Sequence, residues 1–298
     1  MRRLQQIFMF INHHPLAGLH KIKAYYRFIR WQIIQSIYPH ETIYRFVGNT
    51  KLVVKKGLSG ATGNIYTGLH EFSEMGFLLH FLRKEDLFFD IGANVGSYSV
   101  LSGGCIGTRT VAFEPVLSTF VWLQKNIKVN GLNETVKTYQ IGLGRNKGVL
   151  HFTKSYDTVN HVVLNPENKR SEEIMEVRVE DFDTIAGNEG IPNLVKIDVE
   201  GFETEVLNGM SQSLKSENLN AIIIELNGSG SRYGFDEKLI HQKLLENKFL
   251  PYQYNPFERK LLVLENFGPH NTIYIKDANF VRNRLESAEK INVFSELF

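Results

Sequence analysis

Short continuous apolar runs alternate along the chain with stretches in which apolar residues recur at helical spacing. The runs Leu87 to Ile91, Thr110 to Phe113, Val136 to Ile141, Leu194 to Ile197 and Ala221 to Leu226 have the length of strands buried on both faces and are too short for helices. Helical patterns separate them. Tyr66 to Leu82 leads into the first run, Ser118 caps a helix that stops at Asn130-Gly131, and Asp183 to Ala186 is a short helix. Another helix starts near Phe202 and runs towards Gly209, and Asp236 to Asn247 follows the fifth run. Leu250 to Tyr254, Lys260 to Leu264 and Thr272 to Ile275 read as late strands that supply an antiparallel edge. The alternation predicts an α/β fold with a doubly wound, mostly parallel, seven-stranded sheet.

Several stretches stand outside that rhythm. Residues 1–40 carry Arg2, Arg3, Lys21, Lys23, Arg27 and Arg30 with no Asp or Glu, among many aromatics and isoleucines. Such a stretch is either a basic amphipathic helix for an anionic membrane or a partner, or a helical arm laid over the main domain. The arm is the preferred reading, because Tyr25 to Ser36 lacks the clean polar face of an interfacial helix. Thr42 to Lys55 reads as two short strands, and Gly57 to Gly68 as a loop too rich in small residues to pack. Gly142-Leu143-Gly144 is the exit loop of the third run. Val149 to Thr153 and Glu176 to Val179 then flank a polar stretch, Ser155 to Glu173, that is expected to form a substrate lid. Ala278 to Phe298 reads as one more amphipathic helix. The expected boundaries are an arm with short strands over 1–56, a main domain over 57–277 with an insertion at 148–180, and a terminal helix over 278–298.

With 298 residues, 43% hydrophobic and 22% charged, the chain has material for one large core. A net charge of +2, with no basic stripe interleaved with aromatics in the core region, argues against a nucleic-acid partner. Cys105 is the only cysteine, which excludes an intrachain disulfide and a thiolate metal cluster. No run of 18 apolar residues and no secretory leader pattern is found, so a soluble, cytoplasmic protein is expected.

The chemistry gathers after the first apolar run. Asp90 stands near its end, and Gly92, Asn94 and Gly96 follow before helical spacing resumes after Ser97. A strand that turns through glycines into a helix lets backbone N–H groups approach a ligand, because no Cβ intervenes. The dinucleotide fingerprint GxGxxG needs a third glycine where this chain has Ser97, which counts against a nicotinamide-dependent oxidoreductase. Gly92 to Gly96 is instead GxGxG with Asn94 at its centre, the form used by S-adenosylmethionine (SAM) methyltransferases. Glu114, at the end of the second run, is placed to accept both ribose hydroxyls. Asp90 would orient the turn or hold the ligand's ammonium group through water, and Asn94 would meet the methionine end. Ile141 and Gly142 would lie against the adenine, and Glu71, early in the preceding helix, joins the cofactor set.

Ligands of an open α/β sheet bind beyond the carboxyl ends of its strands, where Asp198, Glu200, Glu225 and Asn227 also fall. Methyl transfer to a hydroxyl is an in-line displacement that needs alignment and a base. His161, Asp198 and Glu200 are the candidates for that base, and Asp198 also counts among the cofactor contacts. Tyr66, His70, Asn160, Glu225 and Asn227 are the candidates for the acceptor. Asp198, Glu225 and Asn227 form an oxygen set suited to Mg²⁺, whereas carboxylates held apart by caps and backbone amides would bind none. The second reading is preferred, and no metal ligand is assigned. A SAM-binding module without catalysis is the remaining rival.

Three segments, DIGANVGSYS from Asp90, AFEP from Ala112 and KIDVEGFE from Lys196 to Glu203, together resemble the FkbM-type SAM-dependent methyltransferases. The resemblance covers Tyr66 to Phe257. It implies a class I methyltransferase (Rossmann-like) fold and methylation of a hydroxyl on a saccharide, glycan or natural product. It carries Asp90, Gly92, Asn94, Gly96 and Glu114 over to SAM binding, and Asp198, Glu200 and Glu203 to a site whose individual roles it leaves open. The basic arm, the GLHEF segment and the NHVV stretch with His161 stand outside the pattern, and acceptor choice is expected there.

Overall fold

The computed structural model describes residues 2–153, 161–163 and 174–298. Helices α1 (Arg2–His13), α2 (Pro15–Leu19) and α3 (Lys21–Ile37) open the chain, followed by a hairpin of β1 (Thr42–Arg45) and β2 (Lys51–Val54). Then come α4 (Ser59–Thr67), α5 (Phe72–Phe81), β3 (Leu87–Ile91) and α6 (Ser97–Val100), which continues as a π-helical turn over Leu101–Ile106. β4 (Arg109–Phe113), α7 (Leu117–Val129) and β5 (Val136–Tyr139) complete the first half. β6 (Gly142–Gly144), β7 (Gly148–Thr153) and β8 (Ile174–Asp181) form a separate sheet in the order β6-β8-β7. The second half runs through α8 (Phe182–Glu189), β9 (Leu194–Ile197), α9 (Glu203–Asn208), β10 (Ala221–Glu225) and α10 (Glu237–Glu246). It ends with β11 (Leu250–Asn255), β12 (Lys260–Val263), β13 (Asn271–Ile275), α11 (Ala278–Ser287) and a short hairpin, β14 (Asn292–Val293) with β15 (Glu296–Leu297).

The main sheet has the order β12-β11-β13-β10-β9-β3-β4-β5. The stretch from β10 to β5 is parallel, and β13 inserts antiparallel between β10 and β11. The sheet has eight strands and not the expected seven, because all three late strands join the five parallel ones, with β12 at the edge beyond β11. β3 and β9 are buried along their whole length, and successive residues feed opposite cores. Phe88 points into the core shared with the N-terminal helices and α5, while Phe89 points into the core under α8, α9 and α10.

Four local expectations are corrected. Gly57 to Gly68 is not a loop, because most of it forms α4. Its small residues serve close packing: a Cβ on Gly63 would lie 1.9 Å from His70 Nδ1, and one on Gly60 would lie 2.8 Å from Asn94 Oδ1. Gly142 to Gly144 is a strand, since it pairs in parallel with Val179 to Asp181. Ser118 does not cap α7, which starts one residue earlier behind Val116. The terminal helix stops at Ser287, and the chain turns back so that Phe298 packs edge-on against Phe72, His80 and Phe257. Most of the polar stretch expected as a lid lies outside the described residues.

The arm is packed against the main body. His14 is buried, and burial pushes its imidazole down to about 4, so the neutral ring donates from Nε2 to the Leu69 carbonyl at 2.7 Å and accepts at Nδ1 from Ala17 N–H. Arg27 donates from Nε and Nη2 to the Tyr66 carbonyl. No helix among the described residues is long and apolar enough to cross a membrane. Asn126, fully buried on α7, ties three elements together: it accepts from Val53 N–H at 2.6 Å and donates to the Val95 carbonyl at 2.7 Å. Asn126→Leu would strand both backbone groups in the interior. Urea unfolding is expected to show a loss of about 2–4 kcal/mol, the cost of two unsatisfied buried groups.

Candidate active site

The strand order reverses between β3 and β9, and a cavity of about 290 Å³ opens at their carboxyl ends. Its first wall is the turn after β3. Gly92, Asn94 and Gly96 all have positive φ, at 75°, 53° and 87°. A Cβ on Gly92 would lie 1.8 Å from the Asp198 carbonyl oxygen, so only glycine lets this turn seat against the end of β9. The turn's amides are consumed inside the protein, contrary to the expectation that they face a ligand. Gly92 and Ala93 donate to the Phe113 carbonyl, Asn94 N–H to Glu114 Oε2, Val95 N–H to Asn94 Oδ1, and Gly96 N–H to the Ala93 carbonyl. The glycines act by close approach.

Glu114 stands just past β4 and lines the cavity. It accepts from Asn94 N–H at Oε2 and from Val116 N–H at Oε1, each at 2.9 Å, which fixes the carboxylate and leaves lone pairs on both oxygens. Burial pushes its carboxyl up to about 7, against those two hydrogen bonds. Asp90 lies beneath the turn rather than in the cavity wall. It accepts from Ser99 Oγ at 2.6 Å through Oδ2, its Oδ1 is buried without a partner, and it sits opposite Lys196 in the sheet register.

Lys196 is the residue that the sequence reading left without a role. It is buried on β9, and it is the one Lys or Arg among the described residues lining the cavity. Burial alone would lower its pKa, but Asp198, Glu71 and Asp90 hold it above the ordinary lysine value. Its Nζ donates to Asp198 Oδ2 at 2.8 Å and lies 4.9 Å from the centre of the Tyr98 ring. Tyr98 in turn donates to Glu71 Oε2 at 2.6 Å, and Asn271 donates to Glu71 Oε1 at 2.7 Å. The signal available in sequence was a lysine two residues before a strand-end acid, a spacing that puts both side chains on one face of a strand.

The turn after β9 presents Asp198 and Glu200 to the cavity. Glu200 has φ 54°, an uncommon conformation for a side-chain-bearing residue, and Gly201 follows at 100°. Glu203 clamps this turn by accepting from Val199 N–H and Gly201 N–H, both at 3.1 Å. Burial pushes Glu200 up to about 7, with Asp198 adding to the effect, and burial likewise raises Glu203 to about 7. Glu225, at the end of β10, is raised to about 8 by burial and then by Asp198.

The cavity therefore brings together Glu71, Gly92, Asn94, Glu114, Ile141, Gly142, Asp198, Glu200, His70 and Glu225 from the expected set. Others lie elsewhere. Gly96 is behind the turn, where a Cβ would meet Leu123 at 2.5 Å. Tyr66 is drawn into the groove under α1 and α3, where its hydroxyl accepts from Gln32. Asn227 accepts from Ser229 N–H and shapes its own loop. His161 is held in a short segment bridged to β7, its N–H donating to Thr153 Oγ1, and it is not among the described residues of the cavity wall. Asn160 lies outside the described residues. Among the described residues no cluster of three or more His, Cys, Asp or Glu is placed to hold a metal ion.

A parallel sheet reversed at its centre, an antiparallel strand inserted beside the last parallel one, and a glycine turn next to a strand-end acid define a class I methyltransferase. The chain belongs to the FkbM methyltransferase family, whose domain model matches residues 90–251. It is 31% identical over 179 residues to the hexuronic acid methyltransferase AglP of Haloferax volcanii, covering 57% of this chain and 66% of that protein. It is 26% identical over 181 residues to Methyltransferase 1 of Beauveria bassiana, covering 53% of this chain and 72% of that protein. The crystal structure of an FkbM methyltransferase from Methylobacillus flagellatus aligns with 72% of this chain and 52% of its own, at 15% identity and a TM-score of 0.44. The chain thus spans just under two thirds of the haloarchaeal relative and about half of that crystallised protein.

The raised carboxyls give a signed prediction. An acid whose pKa is higher folded than unfolded binds more protons in the native state, so its contribution is whole below the ordinary carboxylate range and is lost as pH rises through the folded value. For Glu114, Glu200, Glu203 and Glu225 that window ends at about 7 to 8. The melting temperature of the ligand-free protein is expected to fall between about pH 5 and about pH 8. Glu225→Gln should flatten that fall, stabilising the protein at the upper pH and leaving it unchanged at the lower.

Proposed function

We propose that the protein is a SAM-dependent O-methyltransferase that acts on a hydroxyl of a saccharide, glycan or related natural product, with Glu200 as the proton acceptor. The observation that carries this reading is the cavity itself, which places the glycine turn, Glu114 and the Asp198-to-Glu200 turn around one space. SAM fits the donor set: its sulfonium and ammonium charges suit a wall with Glu71, Asp198 and Glu225 around a single lysine. When bound, it supplies an electrophilic methyl group on a positively charged sulfur.

Glu114 would take the ribose hydroxyls on its remaining lone pairs, and Ile141 and Gly142 would flank the adenine. Gly92, seated against the Asp198 carbonyl, would hold the turn's backbone beside the methionine end. The Lys196–Asp198 pair fixes the charge at the floor of the cavity and orients the acceptor. Glu200 combines three properties of a base: it lines the cavity, its backbone conformation is unusual, and its carboxyl is tuned towards neutral pH.

The test combines binding with product chemistry. Calorimetry is expected to show SAM binding that Glu114→Ala weakens at least about tenfold, the scale of a lost charge-assisted hydrogen bond. Glu200→Gln should leave SAM affinity within about twofold and lower kcat by about a hundredfold or more, with the wild-type rate rising through about pH 7. With saccharide acceptors, neutral and uronic, the product should be a methyl ether that survives mild alkali. Binding of NADH in place of SAM would overturn the reading, and an alkali-labile methyl ester would move the acceptor to a carboxylate. Undiminished turnover in Glu200→Gln would remove the assigned base.

A further inference from the structure

α3 is apolar on two opposite faces. Ala24, Phe28, Trp31 and Gln35 face the body and are buried. On the other side stand Ile22, Tyr26, Ile29, Ile33 and Ile37, which are 86%, 64%, 52%, 54% and 79% exposed. Steps of three and four residues keep these five on one side of the helix, a ridge running nearly its full length of about 25 Å. Ten of the 21 large apolar side chains exposed among the described residues fall within residues 1–43, so the apolar surface is concentrated rather than scattered. The missing polar face that counted against an interfacial helix in the sequence has this double use of α3 as its cause.

Charge is segregated the same way. Residues 1–56 hold ten of the 34 Lys and Arg but one of the 32 Asp and Glu, a net +9, which leaves −7 for the remainder. Lys21, Lys23, Arg30, Arg45, Lys55 and Lys56 are exposed, with Lys23 and Arg30 together along one side of the ridge on α3. An apolar ridge edged by cations matches the boundary between acyl chains and anionic headgroups. A second copy of the chain matches it poorly, because it would bring another +9 against the first.

From these two observations we propose that the N-terminal helices dock the protein on the anionic surface of a lipid bilayer. The ridge of α3 sits at the acyl boundary, and the flanking lysines and arginines lie among the headgroups. Docking is peripheral, since no described helix is long and apolar enough to cross. Ile29 and Ile33 also line a cavity of about 920 Å³ between α1, α3 and α4, and His70 borders both this groove and the candidate active site. The docked face and the catalytic cleft are therefore neighbours.

Co-sedimentation of the full-length chain with vesicles tests this without reference to methyl transfer. Vesicles containing phosphatidylglycerol are expected to retain at least about tenfold more protein than pure phosphatidylcholine vesicles at low salt, with release as salt is raised. The triple variant Ile22→Ser, Tyr26→Ser, Ile37→Ser should lose at least about tenfold of that retention. Its circular dichroism melt should be unchanged, because the three side chains are exposed. Lys23→Glu with Arg30→Glu should produce a comparable loss. Absence of retention at low salt, equal retention on both vesicle types, or wild-type retention by the triple variant would each overturn the proposal. Light scattering that shows a dimer abolished by the triple variant would instead give the ridge to a second copy.

Discussion

One steric fact governs the cavity end of this molecule. The turn after β3 and the turn after β9 touch through the bare Cα of Gly92 and the carbonyl of Asp198, where any side chain would overlap that oxygen. The contact sets the separation of the two halves of the site. On one side, Glu114 is locked by Asn94 and Val116 amides; on the other, Glu203 locks the amides of Val199 and Gly201. Each turn is thus braced by a carboxylate from the next helix or strand end, and the two braced turns meet at a point that admits no slack.

Within that frame, charge is arranged against its own solvation. Several carboxylates converge on a cavity that contains one lysine, and burial raises the proton affinity of Glu114, Glu200 and Glu225. Holding unpaired acids in a poorly solvated cleft costs stability, and the cost is recovered when a cationic ligand enters. Lys196 prevents the acids from acting as one undifferentiated cluster, because its ammonium is committed to Asp198.

Much of this was legible in the amino-acid order. Strands buried on both faces announce themselves as unbroken apolar runs, so β3, β4, β9 and β10 were placed to within a residue or so. Strand-end acids follow from strand ends, which is why Glu114, Asp198, Glu200 and Glu225 were found together. Three kinds of information were not legible. Composition could not distinguish a flexible glycine-rich loop from α4, where glycine permits close packing against Asn94 and His70. Periodicity could not say that the turn amides are consumed internally, because the acceptors of Gly92, Ala93 and Asn94, at Phe113 and Glu114, lie about twenty residues away. A lone histidine in a polar stretch also draws the eye for its titration range, yet His161 owes its position to strand pairing with β7.

The tight seating of α4 reaches beyond packing. Gly60 rests on Asn94 of the glycine turn, Gly63 rests on His70, and Asn64 donates to Ser97 at the start of α6. The helices that open the chain and the glycine turn consequently share one packed seam, because α4 lies against both. A chimera that takes its leading helices from another family member would have to import this small-residue helix with them, since a bulkier seam would push the glycine bend out of register with its sheet.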